Sequence, residues 1–220
     1  MKAIQGSIMA SEGRRFIISA LVAVLITFVA KLYYSSFLVS IIFIIVIILF
    51  LFFLIFFREP ERNIPSGKYI IVAPADGKVV QIKKLDDPDT GDKSTQISIF
   101  MSVFNVHINW VPVEGKVLAV NYRKGSFLNA LDHKASDENE RTTIILDSGF
   151  GKIKVRQIAG LLARRIICYA RKGFHLKAGD RLGFIMFGSR LDVILPSSIQ
   201  PIVHKNQRVI GSKTEIGRVK

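Results

Sequence analysis

The stretch Phe184-Ile185-Met186-Phe187-Gly188-Ser189-Arg190-Leu191-Asp192-Val193-Ile194-Leu195 decides how the rest of this 220-residue chain is read. A strand-like apolar run meets Gly188-Ser189, then the charge of Arg190, then a second strand-like run that stops at Pro196. Glycine at such a junction serves a tight bend or a close approach of backbone. On spacing alone the pair is a bulge or turn in a hairpin.

Runs of the same short, β-branched or alternating kind recur at 69–73, 78–83, 95–100, 106–113, 116–123, 142–146 and 152–158. Turn signals separate them: Asp76-Gly77, Asp86 to Asp92, Glu114-Gly115, Asp147 to Gly151 and Ala178-Gly179-Asp180. Many short strands with regular punctuation predict a mainly β fold, a sandwich or barrel-like domain with short helices. One of those helices is expected within 158–169, where Ile158, Leu161, Leu162, Ile166 and Tyr169 fall at near-helical spacing.

The N-terminus follows other rules. Phe16 to Phe57 is 42 residues with one charge, Lys31, and Phe37–Phe57 has none. About 20 apolar residues cross a bilayer core. Two transmembrane helices, about 16–34 and 37–57, are therefore expected as a hairpin, with Lys31 snorkelling and Tyr33 and Tyr34 at the interface. Arg14-Arg15 at one end and Arg58 with Arg62 at the other place both ends on the cytoplasmic side of the cell (inner) membrane. A cleaved signal peptide would need a shorter apolar stretch and a small-residue cleavage site. The expected organisation is an anchor at 1–57, a Pro-containing linker at 58–67, a β domain at 68–196 and a basic tail at 197–220.

Of the net charge of +14, residues 58–220 carry +11. A basic domain beside a bilayer faces anionic headgroups, worth about 1 kcal/mol per Lys or Arg. Nucleic acid is not expected, since basic residues interleaved with exposed aromatics and recognition motifs are both missing from the sequence. Cys168 is the single cysteine, which excludes an internal disulfide and a thiolate metal cluster. Its setting, Ile166-Ile167-Cys168-Tyr169, is that of a small buried hydrophobe.

Residues 155–196 resemble the C-terminal part of phosphatidylserine decarboxylases of the short, archaeal-like, pyruvoyl-dependent type. The markers are Gly188-Ser189 at a strand end, followed by Arg190 and Asp192. Further matches stand upstream in order: Pro74-Ala75-Asp76-Gly77-Lys78-Val79, Phe100-Met101-Ser102-Val103-Phe104-Asn105-Val106-His107, and Asn139-Glu140-Arg141. The resemblance runs from about residue 58 to 196. It implies a membrane lipid enzyme that converts phosphatidylserine to phosphatidylethanolamine, with 68–196 as its catalytic domain.

It also implies self-cleavage between 188 and 189, giving chains 1–188 and 189–220 that stay associated. The chemistry can be argued independently. The Ser189 hydroxyl adjoins the Gly188 carbonyl and can attack it, and the glycine leaves that attack unhindered. The ester formed is a good leaving group for elimination, and tautomerisation and hydrolysis then leave a pyruvoyl group at residue 189. Such a carbonyl takes the substrate amine as a Schiff base and accepts the electrons released with carbon dioxide. No metal is called for. The sequence also allows a homo-oligomer.

Of the remaining site residues, His107 is the expected acid–base group. Longer family members show a second histidine three residues on, where this chain has Trp110. His133 is the substitute to hand, or else a solvated loop histidine. Asp76 is either a plain Asp-Gly turn residue or, by the resemblance, the carboxylate that polarises a histidine during self-cleavage. Arg164 and Arg165 are a solvated face or a binding site for the lipid phosphate. His175 and His204 are expected at the surface.

Two rivals remain at this stage. A membrane-tethered, non-enzymatic module of the lipoyl- or biotinyl-carrier kind would use Lys78 at a hairpin tip. A membrane-anchored zinc peptidase would need close histidine pairs, which His107, His133 and His175 do not form.

Overall fold

The computed structural model describes residues 8–34, 36–65, 67, 70–126, 128–132, 135–161, 165–186 and 188–220, with Asp137 as backbone only. The chain divides between Glu61 and Arg62 into two compact units.

The N-terminal unit is a helical hairpin of α1 (Arg14–Tyr33) and α2 (Phe37–Phe56). Phe16 near the start of α1 packs on Phe53 and on Phe57 just past α2, while Phe28 meets Phe43, so the helices run antiparallel. Backbone bonds from Ala10 N to Phe57 O and from Glu59 N to Ile8 O tie the open end. Twenty residues rise about 30 Å, the thickness of a hydrocarbon core. The outward side chains, Leu25, Ile45 and Ile48 among them, are apolar and exposed, as a lipid-facing surface requires. Lys31 lies 5.3 Å from the Phe43 ring centroid, its charge set over an aromatic face.

The larger unit is mainly β. Its strands are β1 (Ile70–Val72), β2 (Gly77–Asp87), β3 (Gly91–Met101), β4 (Ile108–Trp110), β5 (Gly115–Arg123), β6 (Arg141–Asp147) and β7 (Lys152–Ala159). They continue with β8 (Ile166–Cys168), β9 (His175–Leu176), β10 (Arg181–Ile185), β11 (Ser189–Leu195), β12 (Ile199–Pro201), β13 (Arg208–Val209) and β14 (Glu215–Val219). One four-residue helix, α3 (Ala135–Glu138), lies between β5 and β6. Eight strands form one sheet in the order β13-β2-β3-β11-β7-β6-β5-β9, and two three-stranded sheets, β4-β10-β8 and β1-β14-β12, accompany it. Every paired strand runs antiparallel.

The period-two pattern sets the core. Leu191, Val193 and Leu195 of β11 join Ile97 and Ile99 of β3 and Val155 of β7 in a single apolar cluster. The alternate residues of β11, Arg190 and Asp192, point to the other face and are buried there too.

Two expectations need correction. Residues 158–169 are not a helix: Ile158 and Ala159 end β7, Ile166–Cys168 is β8, and 162–164 lie outside the described residues. Gly160 interrupts the run, and Ile166-Ile167 are β-branched residues that pair with Phe184 and Ile185. The basic stretch 197–220 is structured as well. Ile199, Val209 and Ile216 reach the core, and β14 pairs with β1 and β12. Basic residues alternate there with apolar ones, so composition hid a strand pattern.

On the far face of the large sheet, Lys154 of β7 is 3% exposed and its Nζ lies 2.6 Å from both Asp87 Oδ2 and Asp89 Oδ2. Burial alone would push the Asp87 carboxyl up. The Lys154 bond, with the Asp89 and Thr90 amides, outweighs this and holds it below its ordinary value of 3.8. Stability from this pair is therefore present above that value and lost as pH falls through the lowered one. Asp87→Asn is expected to destabilise the protein by about 3–5 kcal/mol at neutral pH, because it strips Lys154 of a buried partner. Its melting temperature should also fall less than that of wild type on acidification from pH 5 to 2, as a thermal scan of the full chain in detergent would show.

Candidate functional site

Ser189 opens β11 and is held on both edges, opposite Met101 of β3 and Ala159 of β7. It is fully buried, with Oγ 3.4 Å from the Met101 sulfur. Gly188 turns the chain into the strand at φ +64, a conformation that costs an L side chain dearly. Its carbonyl oxygen lies against Gly160: a Cβ added there would stand 2.2 Å from it. Gly160 thus gives the Gly188 carbonyl its room, a role invisible without the register that brings β7 beside β11.

His107 is fully buried just before β4. Asn105 sets it in place. Its Oδ1 accepts from the Ser102 N–H and hydroxyl, closing a tight turn, and its main-chain carbonyl meets His107 Nδ1 at 2.8 Å. A carbonyl can only accept, so Nδ1 carries the proton and Nε2 is the basic nitrogen. The ring lies beside Phe184, and the His107 carbonyl accepts from the Ile185 N–H on β10. From β10 the chain runs through Met186 to Gly188.

Asp76 lies at the same end of the sheet. Lys78 pairs with Phe100 and Phe100 with Arg190, which puts Asp76 near the Ser189 end two strands away. Its carboxylate is taken up by the Arg62 guanidinium, at 2.8 and 3.0 Å, and by the Gly211 N–H at 2.8 Å. The expected histidine partner is replaced here by an arginine, which itself lies over the Trp110 ring. Trp110, at the position of the longer members' second histidine, packs against Gly211.

His133 and Arg164 lie outside the described residues. Their neighbours do not. The Asp132 carbonyl accepts from Arg190 Nη1 at 3.4 Å, and the Ser136 hydroxyl donates to Asp192 Oδ2 at 2.7 Å. Arg190 and Asp192 are themselves joined at 2.7 Å and take Ser98, Gln81 and Gln96 as further partners. Asp132 and Ser136 thus both contact the face of β11 opposite the core. Arg165 is exposed, and its carbonyl accepts from the Met186 N–H just ahead of Gly188. His175 pairs with Glu114 at the surface, and His204 is exposed.

Two further residues had no role assigned from the sequence, although Asn139 stands in the matched Asn139-Glu140-Arg141 motif. Asn139 is buried and bridges the Leu128 amide and carbonyl to the Ala159 carbonyl, stitching the 126–140 segment to the end of β7. Gln157 is a polar residue at a core-facing position, between Val155 and Ala159 in the alternation, and it bonds to Asn109. That misplaced polarity was a readable signal. Lys78 is no hairpin tip: it is paired within β2 to Arg208 and Phe100, which removes the presentation a carrier lysine needs. Among the described residues, no three His, Cys, Asp or Glu side chains converge as metal ligands.

A sequence profile described as phosphatidylserine decarboxylase matches residues 49–217. The curated phosphatidylserine decarboxylase proenzyme of Chlorobaculum tepidum is 47% identical over 74% of this chain and 76% of its own length. Those of Chlorobium chlorochromatii and Geobacter metallireducens are each 43% identical, over 92% and 94% of this chain and 92% and 95% of theirs. A match that covers nearly all of the β unit, and relatives that align nearly end to end, leave one assignment: the chain belongs to the phosphatidylserine decarboxylase family of enzymes.

Proposed function

We propose that this enzyme converts phosphatidylserine to phosphatidylethanolamine, as a step in phospholipid synthesis, using a pyruvoyl group made from its own Ser189. The observation that carries the reading is the Gly188-Ser189 junction: a left-handed glycine, its carbonyl against Gly160, leading into a serine fixed by ladders on both edges.

Ser189 Oγ attacks the Gly188 carbonyl carbon. The C–N bond breaks as the C–O bond forms, and the hydroxyl proton passes to the nitrogen. Loss of the Ser189 Cα proton expels Gly188 as a carboxylate, and hydrolysis of the remaining enamine releases ammonia and leaves the ketone. His107, basic at Nε2, is the group proposed to take these protons, and His133 is proposed as a second acid–base residue. Asp76, held by Arg62, is proposed to set the local charge. The buried setting of Ser189, among Met101, Ala159 and the apolar core, suits an α-keto group that water would otherwise attack. That group supplies an electron sink for decarboxylation once it has captured the substrate amine.

The fragments 1–188 and 189–220 would remain together, because β11 lies between β3 and β7 and β14 is paired with β1. The two apolar helices support a place in the cell membrane, with the β unit on the cytoplasmic side by the basic flanks. A tethered enzyme meets its lipid within the bilayer plane. Arg164 and Arg165 are proposed to receive the lipid phosphate.

Two variants test the reading. On a denaturing gel the wild type should show two species, the smaller of 32 residues, whereas Ser189→Ala stays whole and inactive. An active wild type that remains one polypeptide sinks the reading. Gly160→Ala puts a methyl 2.2 Å from the Gly188 oxygen. It should slow processing by at least about tenfold, the effect of roughly 1.4 kcal/mol on the barrier, followed as the unprocessed band over time.

A further inference from the structure

Three loops at the Gly188-Ser189 end of the large sheet each carry a large apolar side chain into solvent. Met101, opposite Ser189, ends β3, and Phe104 three residues on is 70% exposed. Ala159, opposite Ser189 on the other edge, ends β7, and Leu161 two residues on is 64% exposed. Leu131 is 50% exposed and adjoins Ala130, whose Cβ would stand 3.2 Å from a Cβ placed on Gly160. Single exposed apolar side chains need no explanation, but a group gathered around one end of a domain marks a contact surface.

The outer row of the sheet at that end adds charge. Outward from Arg190, direct pairing leads through Phe100 to Lys78 and Arg208 on one side. On the other it leads through Ile158 to Arg141 and Arg123. Lys78 thus stands opposite Arg208 and Arg123 opposite Arg141, and like charges so placed destabilise a sheet. Lys78, Arg208 and Arg123 are exposed, and among the described residues no carboxylate pairs with them. Lys124, next to Arg123, and Arg165, whose carbonyl takes the Met186 N–H, are exposed at this end too. Exposed carboxylates in the segment between β5 and β6, Asp132 and Glu138, are outnumbered among the described residues.

We propose that this end of the β unit is a docking face for an anionic bilayer surface. Phe104, Leu131 and Leu161 enter the boundary between headgroups and acyl chains, and the Lys and Arg side chains behind them lie among the anionic headgroups. Apolar tips backed by unpaired cations are what such an interface holds. A bilayer is the occupant because the same chain carries two helices long and apolar enough to cross one. The inference rests on the reading that the substrate is a membrane lipid, and it deepens that reading. Ser189 is fully buried, so a lipid must bring its headgroup in while its acyl chains stay in the membrane. An anchor sets only how far the β unit can stray; this face sets which end of it meets the lipid.

The test uses the full chain with Cys168→Ser, in vesicles of phosphatidylglycerol and phosphatidylcholine that contain nitroxide-bearing lipid. A fluorophore is attached at Leu131→Cys, at Leu161→Cys or, near the β2–β3 turn at the opposite end, at Asp92→Cys. Labels at 131 and 161 are expected to be quenched at least about threefold more than the label at 92. Raised salt, or Lys78→Gln combined with Arg208→Gln, should reduce that difference. Equal quenching at both ends overturns the proposal, as does quenching that is the same in pure phosphatidylcholine. Labels shielded from water but not quenched by lipid overturn it in favour of a protein partner. A second measurement needs no label. Leu131→Ser with Leu161→Ser should be processed, and should lose at least about tenfold of its turnover on bilayer phosphatidylserine while keeping that on a short-chain, monomeric form. Equal losses on both forms overturn the proposal. A wild type that is neither cut nor active brings down the pyruvoyl reading instead, and the quenching comparison then decides this one.

Discussion

The site depends on one constraint: β11 is hydrogen-bonded along both edges from its first residue. Residue 189 is opposite Met101 on one side and Ala159 on the other, while residue 188 has already left the ladder at a positive φ. The junction between rigid sheet and turn therefore falls on the peptide bond joining Gly188 to Ser189. A bond within the ladder would be shielded by its neighbours, and one deep in a loop would lack a fixed nucleophile. Only at the strand's end are the hydroxyl held and the carbonyl free to be approached. Gly160 completes this, since any larger residue at the end of β7 would push the Gly188 oxygen aside.

Behind the strand, the face away from the core is polar and yet closed to solvent. Arg190 is 1% exposed and Asp192 not at all. Such a pair is tolerable only when its remaining donors and acceptors are met, and here Gln81, Ser98, Gln96 and Ser136 meet them. Ser136 belongs to α3, so satisfying the pair also ties that short helix to β11. Burying charge next to Ser189 thus has a local use beyond stability.

Much of this was open to reading from residues alone. The apolar hairpin follows from 42 residues with one charge. Most strands follow from alternation between turn signals, whereas Gly188-Ser189 reads on spacing alone as a turn and was singled out by the family resemblance. The failures have physical causes. Near-helical spacing at 158–169 described residues split between two strands, because a few apolar positions fit either period until Gly160 and the pairing partners are known. The basic composition of 197–220 masked β14, whose Ile216 nonetheless lies in the apolar core. The Asp76–Arg62 pair and the Asn109–Gln157 contact join residues 14 and 48 positions apart. Neither follows from a local pattern; sheet register and side-chain direction decide both.

The interleaving of strands also bears on what the proposed cut after residue 188 would mean for the protein. Residues 189–220 supply β11 in the middle of the large sheet, β13 at its edge, and β12 and β14 in a second sheet, so the short piece is paired with the rest of the chain at several separate places among the described residues. An uncut chain refolds as a first-order event. Two pieces, once melted apart, must find each other at a rate that falls with dilution, and each would expose half-built sheet while it searched. The fold would then be reached once, as a continuous polypeptide, and afterwards survive chiefly through its slow unfolding.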